Sequence, residues 1–191
     1  GRMGVALAVA AHKRGARVTL VGANLAVPPP VGVEHVAVET VAELSAALDE
    51  RFPSCDVLLM AAAVSDFRPA DAARVKLERS ERLAIELEPT EDIVAGLASR
   101  RRAEQLVVGF AAEHGGDFVT RARTKLARKG LDAIVANDVS VSGIGFDSTE
   151  NAVVIVTADG VERRVERQAK SAVAEAILDE VERLLATRAP R

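Results

Sequence analysis

Apolar and polar positions in this chain form short, uniformly apolar runs separated by segments with helical spacing. Such runs are typical of strands covered on both faces, and the segments between them place apolar residues on one helical face. The alternation predicts an α/β fold with a Rossmann-like, doubly wound, mainly parallel sheet. The predicted strands cover residues 16–21, 33–38, 57–64, 105–113 and 131–136, and the helices cover residues 5–14, 41–51, 93–102 and 118–129.

Two segments with alternating apolar and charged residues predict antiparallel hairpins. Residues 74–78 and 83–88 flank a polar turn, which is typical of a half-exposed hairpin inserted after the central apolar run. Residues 151–157 and 161–167 flank an Asp-Gly turn, and an amphipathic helix over residues 169–186 follows them. The predicted fold therefore includes an inserted hairpin and a C-terminal hairpin plus helix.

The start of the chain has the pattern of the second half of a β-α-β unit. Helix 5–14 ends at Gly15, a residue suited to a helix C-cap, and leads directly into the strand over residues 16–21. Because the helix of such a unit follows a strand, we predict that the first strand and its glycine-rich turn lie upstream of residue 1. The 191 residues contain no linker-like segment, so we predict a single domain over residues 1–191.

Composition excludes several classes of partner. The net charge is −3 with acids and bases interspersed, so the basic field that attracts nucleic acid or an anionic membrane is absent. No apolar run has the roughly 20 residues that a membrane span needs, and no signal peptide opens the chain. The single cysteine, Cys55, excludes an intrachain disulfide framework. We expect a soluble, cytoplasmic protein whose ligand is a small molecule.

Polar side chains follow the ends of three predicted strands. Asp66, Phe67 and Arg68 come after the central apolar run, Phe110 lies near the end of the next strand, and Asn137 follows the third. Ligands in open α/β sheets lie beyond the carboxyl ends of parallel strands, where these side chains are expected to meet. The pattern therefore predicts a shared ligand cleft.

Two lysines on the predicted helix over residues 118–129 could supply positive charge to that cleft. Lys125 and Lys129 are four residues apart and project from the same helical face. Two ammonium groups on one face suit a polyphosphate. A solvated basic face is the alternative, because Arg121 and Arg128 make the whole helix basic.

Searches for metal sites and nucleophiles give little. The three histidines are scattered, no Cys/His spacing fits zinc, and neither a G-x-S-x-G elbow nor a Walker A lysine occurs. What remains is a nucleotide-sized cleft with carboxylate, lysine, asparagine and phenylalanine side chains.

Several sequence blocks occur in the order and spacing of a known family. They are Gly1-Arg-Met-Gly4, Ala61-Ala-Ala-Val-Ser-Asp-Phe-Arg-Pro69, Lys76, Asp92-Ile-Val, Val108-Gly-Phe-Ala-Ala-Glu113, Lys125-Leu-Ala-Arg-Lys129, Ala136-Asn-Asp138 and Phe146-Asp-Ser-Thr-Glu-Asn151. Together they resemble bacterial phosphopantothenoylcysteine synthetase, a coenzyme A pathway domain usually fused behind a flavin-dependent decarboxylase. The resemblance covers essentially the whole chain.

The resemblance implies a ligase that condenses 4′-phosphopantothenate with L-cysteine. It implies that CTP, with Mg²⁺, activates the carboxylate as an acyl-cytidylate, and that the products are 4′-phosphopantothenoyl-L-cysteine, CMP and pyrophosphate. It also implies a homodimer, fused to or associated with a flavin-dependent decarboxylase in the full-length protein, with no flavin in this domain. The family's serine- and glycine-containing phosphate loop, which precedes the Gly-x-Met-Gly block, is not among these residues.

The resemblance also implies the site residues. Lys76 is expected to be the catalytic cation, Asp66 to hold ribose or the metal, and Arg68 and Asn137 to contact substrate or support loops. The residues expected to contact the nucleotide are Ala62, Ala63, Asp66, Phe67, Lys76, Thr90, Glu91, Asp92, Ile93, Phe110, Lys125 and Lys129. The residues themselves predict Thr90 as the N-cap of helix 93–102.

Two other functions fit the predicted fold. A nicotinamide-dependent short-chain oxidoreductase would need a tyrosine-lysine pair, and the chain has no tyrosine. A non-catalytic nucleotide-binding module would use the same cleft without needing Lys76.

Overall fold

The computed structural model describes residues 1–71, 75–76, 83–141, 145 and 148–188. The strands are β1 (Thr19–Gly22), β2 (Glu34–Ala37), β3 (Val57–Met60), β4 (Phe67–Pro69), β5 (Leu87–Pro89), β6 (Leu106–Glu113), β7 (Ala133–Asp138), β8 (Glu150–Thr157) and β9 (Glu162–Ala169). The helices are α1 (Arg2–Lys13), α2 (Val41–Arg51), α3 (Ile93–Ser99), α4 (Phe118–Lys129) and α5 (Lys170–Arg188), with a short 3₁₀ turn over Phe52–Ser54.

The central sheet has the strand order β3-β6-β7-β8-β9. β3, β6 and β7 run parallel, whereas β8 and β9 continue the sheet as an antiparallel hairpin. In the described part of the chain, β1 and β2 form a separate parallel pair, and β4 and β5 a separate antiparallel pair. The predicted α/β class with a parallel-rich sheet is confirmed, as is the C-terminal hairpin followed by a helix.

Helices cover both faces of the central sheet. Leu106 and Val108 of β6 pack in one buried cluster with α1 and α5 residues, while Val107 packs in the other with α3 and α4 residues. Successive strand residues point to opposite faces, so a strand with a helical layer on each side must be apolar at every position. This is the physical reason for the uniformly apolar runs.

Local capping sets the ends of two helices at the predicted residues. Thr40 and Glu43 form a capping box at the start of α2. Asp117 accepts a hydrogen bond from the Thr120 amide at the start of α4, and Gly130 ends that helix in the left-handed conformation (φ 62°). Both helices have the predicted bounds, 41–51 and 118–129.

Several predicted boundaries are wrong. α1 begins at Arg2 instead of residue 5, β1 begins at Thr19 instead of residue 16, and β7 covers Ala133–Asp138 instead of residues 131–136.

β3 ends at Met60 instead of residue 64, because its pairing with β6 stops at the Met60 and Gly109 pair. Helix α3 ends at Ser99 instead of residue 102, and its N-cap is Asp92, whose Oδ1 accepts from the Ala95 amide.

The inserted hairpin is paired at a different place from the one predicted. β4 pairs with β5 in the register Phe67 with Pro89 and Pro69 with Leu87, so the ladder lies at the base of the insertion. Residues 83–86 precede β5 and are not strand. Most of the predicted partner strand and turn, residue 74 and residues 77–82, lies outside the described residues.

None of the helices described here is both long and apolar enough to cross a membrane.

Candidate functional site

A cavity of about 300 Å³ lies at the carboxyl end of β3, beside Gly109 and Phe110 in the middle of β6. Its walls come from the segment after β3, the start of α3, the middle of β6 and the last turns of α4. The lining residues are Met60, Ala62, Ala63, Val64, Ser65, Asp66, Thr90, Glu91, Asp92, Ile93, Val94, Gly109, Phe110, Lys125, Arg128, Lys129, Leu131 and Ile134. Segments far apart in the sequence thus form one site at the predicted edge of the sheet.

The irregular segment after β3 is held by Thr90. The Thr90 amide donates to the Asp66 carbonyl oxygen (2.9 Å), and the Thr90 hydroxyl donates to the Ser65 carbonyl oxygen (2.5 Å). Thr90 therefore closes the loop against the start of α3 instead of capping that helix. Because ladder pairing ends at Met60, residues 62–64 lie outside the sheet, and they line the cavity.

Three cations form a line along α4, and the last two of them line the cavity. Arg121, Lys125 and Lys129 follow one another at intervals of four residues, and two carboxylates face them. Lys125 Nζ lies 2.5 Å from Glu113 Oε1, and Lys129 Nζ lies 3.0 Å from Asp92 Oδ2. The lysine pair predicted from spacing is therefore at the cavity, with each ammonium already held by an acid.

Glu113 is a buried acid at the end of β6 that our site prediction missed. Burial by itself would raise the pKa of its carboxyl, but hydrogen bonds from Lys125 and Arg121 outweigh it and lower the pKa. The Arg121 Nε atom donates to Glu113 Oε2 at 2.9 Å. The available signal was the position of a carboxylate at the end of an otherwise apolar strand.

Asp138 orders the loops that follow β6 and β7. Its Oδ1 atom accepts from the Ser140 hydroxyl (2.6 Å), the Gly115 amide (2.9 Å) and the Ser140 amide (2.9 Å). The Ser140 hydroxyl makes the largest contribution, and together these donors lower the pKa of Asp138 to about 2. This carboxylate supports loop backbone at the sheet edge.

Acids and bases are balanced around the cavity. Asp66, Glu91 and Asp92 face Lys125, Arg128 and Lys129 among the lining residues. No group of three or more His, Cys, Asp or Glu side chains suited to a metal ion occurs among the described residues. A divalent cation would therefore need ligand oxygens from a bound phosphate, as Mg²⁺ commonly does in nucleotide sites.

The structure brings most of the predicted site residues together. Those that line the cavity are Ala62, Ala63, Asp66, Thr90, Glu91, Asp92, Ile93, Phe110, Lys125 and Lys129.

Four predicted site residues are not among the lining residues. The side chain of Phe67 is largely exposed on β4, and Arg68 Nε pairs with Glu88 Oε1 at 2.7 Å. Lys76 is exposed, between segments that lie outside the described residues. Asn137 is half-buried in β7, opposite Ala112 of β6. Their binding roles stay predictions.

A second cavity, of about 390 Å³, lies beside the ends of β1 and β2. Asn24, His35 and Glu39 line it together with apolar residues, and its lining within the described chain includes no lysine or arginine. The smaller cavity is the better candidate for an anionic ligand, because Lys125, Arg128 and Lys129 line it.

The chain is similar to known proteins over nearly its whole length. A family model described as DNA/pantothenate metabolism flavoprotein C-terminal domain matches residues 1–185. The coenzyme A biosynthesis bifunctional protein CoaBC of Vibrio cholerae is 40% identical over 181 residues, which are 93% of this chain and 45% of that protein. The crystal structure of the C-terminal domain of a CoaBC protein matches with a TM-score of 0.82 and 33% identity, covering 98% of this chain and 84% of that chain.

A more distant structure shares the fold alone. It is a Cab2 variant in complex with phosphopantothenate-cysteine, with a TM-score of 0.75 at 14% identity, covering 97% of this chain and 77% of that chain. The chain spans about half the length of the curated relatives it matches, 45% and 46% for two Vibrio proteins.

Proposed function

The chain belongs to the DNA/pantothenate metabolism flavoprotein C-terminal domain family, and we propose that it is the phosphopantothenate–cysteine ligase domain of a coenzyme A biosynthesis protein. The cavity described above would bind CTP. One observation carries this proposal. Lys125, Lys129 and residues 62–64, which lie beyond the last β3–β6 pair, line the same cavity.

The proposed reaction has two steps. In the first, a carboxylate oxygen of 4′-phosphopantothenate bonds to the α-phosphorus of CTP, and the bond to the β-phosphate breaks to release pyrophosphate. In the second, the cysteine amine bonds to the acyl carbon and loses a proton, and the bond to CMP breaks. Both steps build negative charge on leaving phosphates, which fixed cations stabilise.

The lining suggests how CTP would be oriented. Cytosine presents an amino donor beside acceptors, so the amide and carbonyl groups of residues 62–64 could complement its edge. The ammonium groups of Lys125 and Lys129 would face the phosphates, and Phe110 would cover part of the nucleoside. A volume of about 300 Å³ is at the small end of the range for ligand sites, so the nucleotide would extend toward solvent.

Mg²⁺ would reach the site with the triphosphate. Asp66 is the carboxylate best placed to join it, because its side chain lines the cavity while its backbone is fixed by Thr90. A single carboxylate together with phosphate oxygens and water suits this ion. Bound there, Mg²⁺ would supply charge neutralisation at the phosphates.

Lys76 is the proposed catalytic cation. It is exposed and lies on the insertion between β4 and β5, whose base begins at the cavity-lining residue Asp66. A lysine on such an insertion could approach the reacting phosphate when substrates are bound. The non-catalytic alternative would have no use for this residue.

A homodimer is proposed from exposed apolar residues of the β4–β5 pair and of the segment before β5. Leu83, Ile85 and Leu87 have exposed fractions of 64%, 62% and 55%; Leu87 begins β5, and the other two precede it. Phe67, 57% exposed, lies on the same face of the β4–β5 pair as Leu87, because it is two residues from Pro69, the partner of Leu87. The opposite face carries the Arg68–Glu88 ion pair. A second copy of this apolar face is the proposed partner.

Turnover of the full-length protein tests the ligase proposal. With CTP, Mg²⁺, 4′-phosphopantothenate and cysteine, pyrophosphate and CMP should form in equal amounts. Without cysteine, pyrophosphate should appear in an amount limited to about one per site, because the acyl-cytidylate accumulates. A folded protein that binds CTP and releases no pyrophosphate would support the non-catalytic module instead.

Sedimentation tests the dimer. The wild-type chain should sediment as a dimer, and Leu87→Asp should shift it toward monomer. Val31→Asp is the control, because Val31 is 97% exposed on the connector between β1 and β2. A monomeric wild-type chain would remove the dimer proposal while leaving the ligase proposal in place. The fused or associated decarboxylase and the cytoplasmic location stay predictions.

A further inference from the structure

We propose that Glu113 is a positioning residue that fixes the ammonium of Lys125 in the orientation that receives the phosphates of CTP. This inference rests on the proposed function, because it takes CTP as the occupant of the cavity. Glu113 is not a lining residue, so its effect on the ligand would pass through Lys125.

Glu113 is a rigid anchor. Its side chain is 8% exposed, and its main chain pairs with Asp138 of β7. The carbonyl oxygen of Glu113 accepts from the Val139 amide at 2.8 Å. The carboxylate therefore has little freedom to move with its partners.

Arg121 occupies the second oxygen of this carboxylate and links it to the loop after β6. The Nε atom of Arg121 donates to Glu113 Oε2, and its Nη2 atom donates to the carbonyl oxygen of Gly115 at 2.5 Å. Because Arg121 holds Oε2, Oε1 remains for Lys125. The carboxylate cannot rotate to release Lys125 without breaking the Arg121 contact as well.

Lys125 keeps the capacity to bind a ligand while it is held. Its side chain lines the cavity and is 39% exposed, and Nζ donates one hydrogen bond to Glu113. An ammonium has three N–H groups, so two remain for phosphate oxygens. A free lysine side chain loses rotamer freedom when a ligand fixes it, and Glu113 would remove that entropic cost before the ligand arrives.

The second lysine of the cavity is held less firmly. Lys129 pairs with Asp92, whose side chain is 45% exposed and also caps α3. Exposed ion pairs contribute little fixed geometry. Because Glu113 is buried and Asp92 is half-exposed, Lys125 is the lysine that is held in place before the ligand binds.

Calorimetric titration of the chain with CTP and Mg²⁺ tests this assignment through a double-mutant cycle. Glu113→Gln should weaken CTP binding about tenfold, because the neutral amide has one acceptor oxygen and cannot hold both Lys125 and Arg121. Lys125→Ala should weaken it by at least as much. Adding Glu113→Gln to Lys125→Ala should change the affinity less than twofold, since the residue through which Glu113 acts is then absent.

Glu162→Gln is the matched control. Glu162 Oε2 pairs with Arg123 of α4 at 2.6 Å, and Arg123 does not line the cavity. This variant removes one carboxylate partner of the same helix, and CTP affinity should stay within twofold of the wild type. A tenfold loss here would mean that any weakened α4 contact disturbs the site, which would overturn the specific role of Glu113.

An NMR measurement covers the case in which Glu113→Gln does not fold. The ammonium resonance of Lys125 should be observable in the wild-type chain without ligand, because a fixed hydrogen bond slows proton exchange, and Glu113→Asp should weaken it. A Lys125 ammonium that exchanges like those of surface lysines would overturn the proposal.

The outcomes separate this inference from the proposed function. A wild-type chain that does not bind CTP overturns both. A wild-type chain that binds CTP, with Glu113→Gln binding equally well, overturns the role of Glu113 alone. An equal loss from Glu113→Gln with and without Lys125 would also overturn it, because the effect would then come from general structure.

Discussion

Lys129 near the end of α4 forms an ion pair with Asp92, the N-cap of α3, with 3.0 Å between Nζ and Oδ2. The pair joins two helices that both line the cavity. Asp92 thus takes part in two interactions, one that fixes the start of a helix and one that holds a cation at the site. The substitutions that separate these two roles give the first prediction.

Lys129→Ala should weaken CTP binding about tenfold and change the free energy of unfolding by less than about 1 kcal/mol, because the pair is half-exposed. Asp92→Ala should lower the free energy of unfolding by about 1 kcal/mol, because the α3 cap is also lost. Urea unfolding and CTP titration measure the two quantities. If Lys129→Ala binds CTP as tightly as the wild type, Lys129 has no role in CTP binding and belongs to a solvated basic face.

Lys76→Gln should lower the rate of pyrophosphate release about 10²-fold, as the loss of one charge contact in a transition state often does. Unfolding should be unaffected, because Lys76 is exposed. Initial rates at saturating substrate, with circular dichroism as the folding control, check this prediction. An unchanged rate would remove the catalytic role of Lys76 and leave the CTP site as it is.

Gly109→Ala should destabilise the chain by about 1–3 kcal/mol, the usual cost of overpacking a core. A Cβ at this position of β6 would lie 2.6 Å from the Cδ1 atom of Leu131, which is itself buried.

Gly96→Ala is the matched control for that change. The nearest atom to its Cβ is Glu91 Oε1 at 3.6 Å, and alanine favours the helical backbone of α3 by about 0.5–1 kcal/mol. Denaturant titration of both variants should therefore give shifts of opposite sign. A neutral Gly109→Ala would mean that β6 and Leu131 can move apart at no cost.

The stability of the chain should decrease in acid partly through Asp138. The pKa of its carboxyl is lowered from 3.8 to about 2 in the folded state, so its ionised form is the one that folding favours. The resulting stability is present above pH 3.8 and is lost as the pH falls toward 2. Asp138→Asn should flatten this part of the stability profile, measured by urea unfolding at several pH values. A parallel profile for the variant would contradict the assignment.

Local signals in the sequence were sufficient to predict several helices and strands. The capping box of Thr40 and Glu43 marks the start of α2, and the left-handed Gly130 marks the end of α4. The tail hairpin was predicted from alternation around a turn, and the sheet edge that carries the site from the order of strands and helices. Each of these depends on interactions between residues close together in the chain.

Other features depended on partners distant in sequence. The apolar run after Asp56 gave no sign that β3 ends at Met60, because the end is set by the last pair with β6. Thr90 and Asp92 are both residue types that cap helices. Thr90 donates its hydrogen bonds to residues 65 and 66, so Asp92 is the N-cap of α3.

Sequence by itself determined the α/β class, the two-sided burial of the strands and the presence of lysines on one face of α4. Tertiary structure alone decided that Glu113 and Asp92 meet those lysines, and that they meet beside the unpaired backbone after β3. The physical reason is range: periodicity and capping act within a few residues, whereas these charge pairs form only when the sheet and helices pack together.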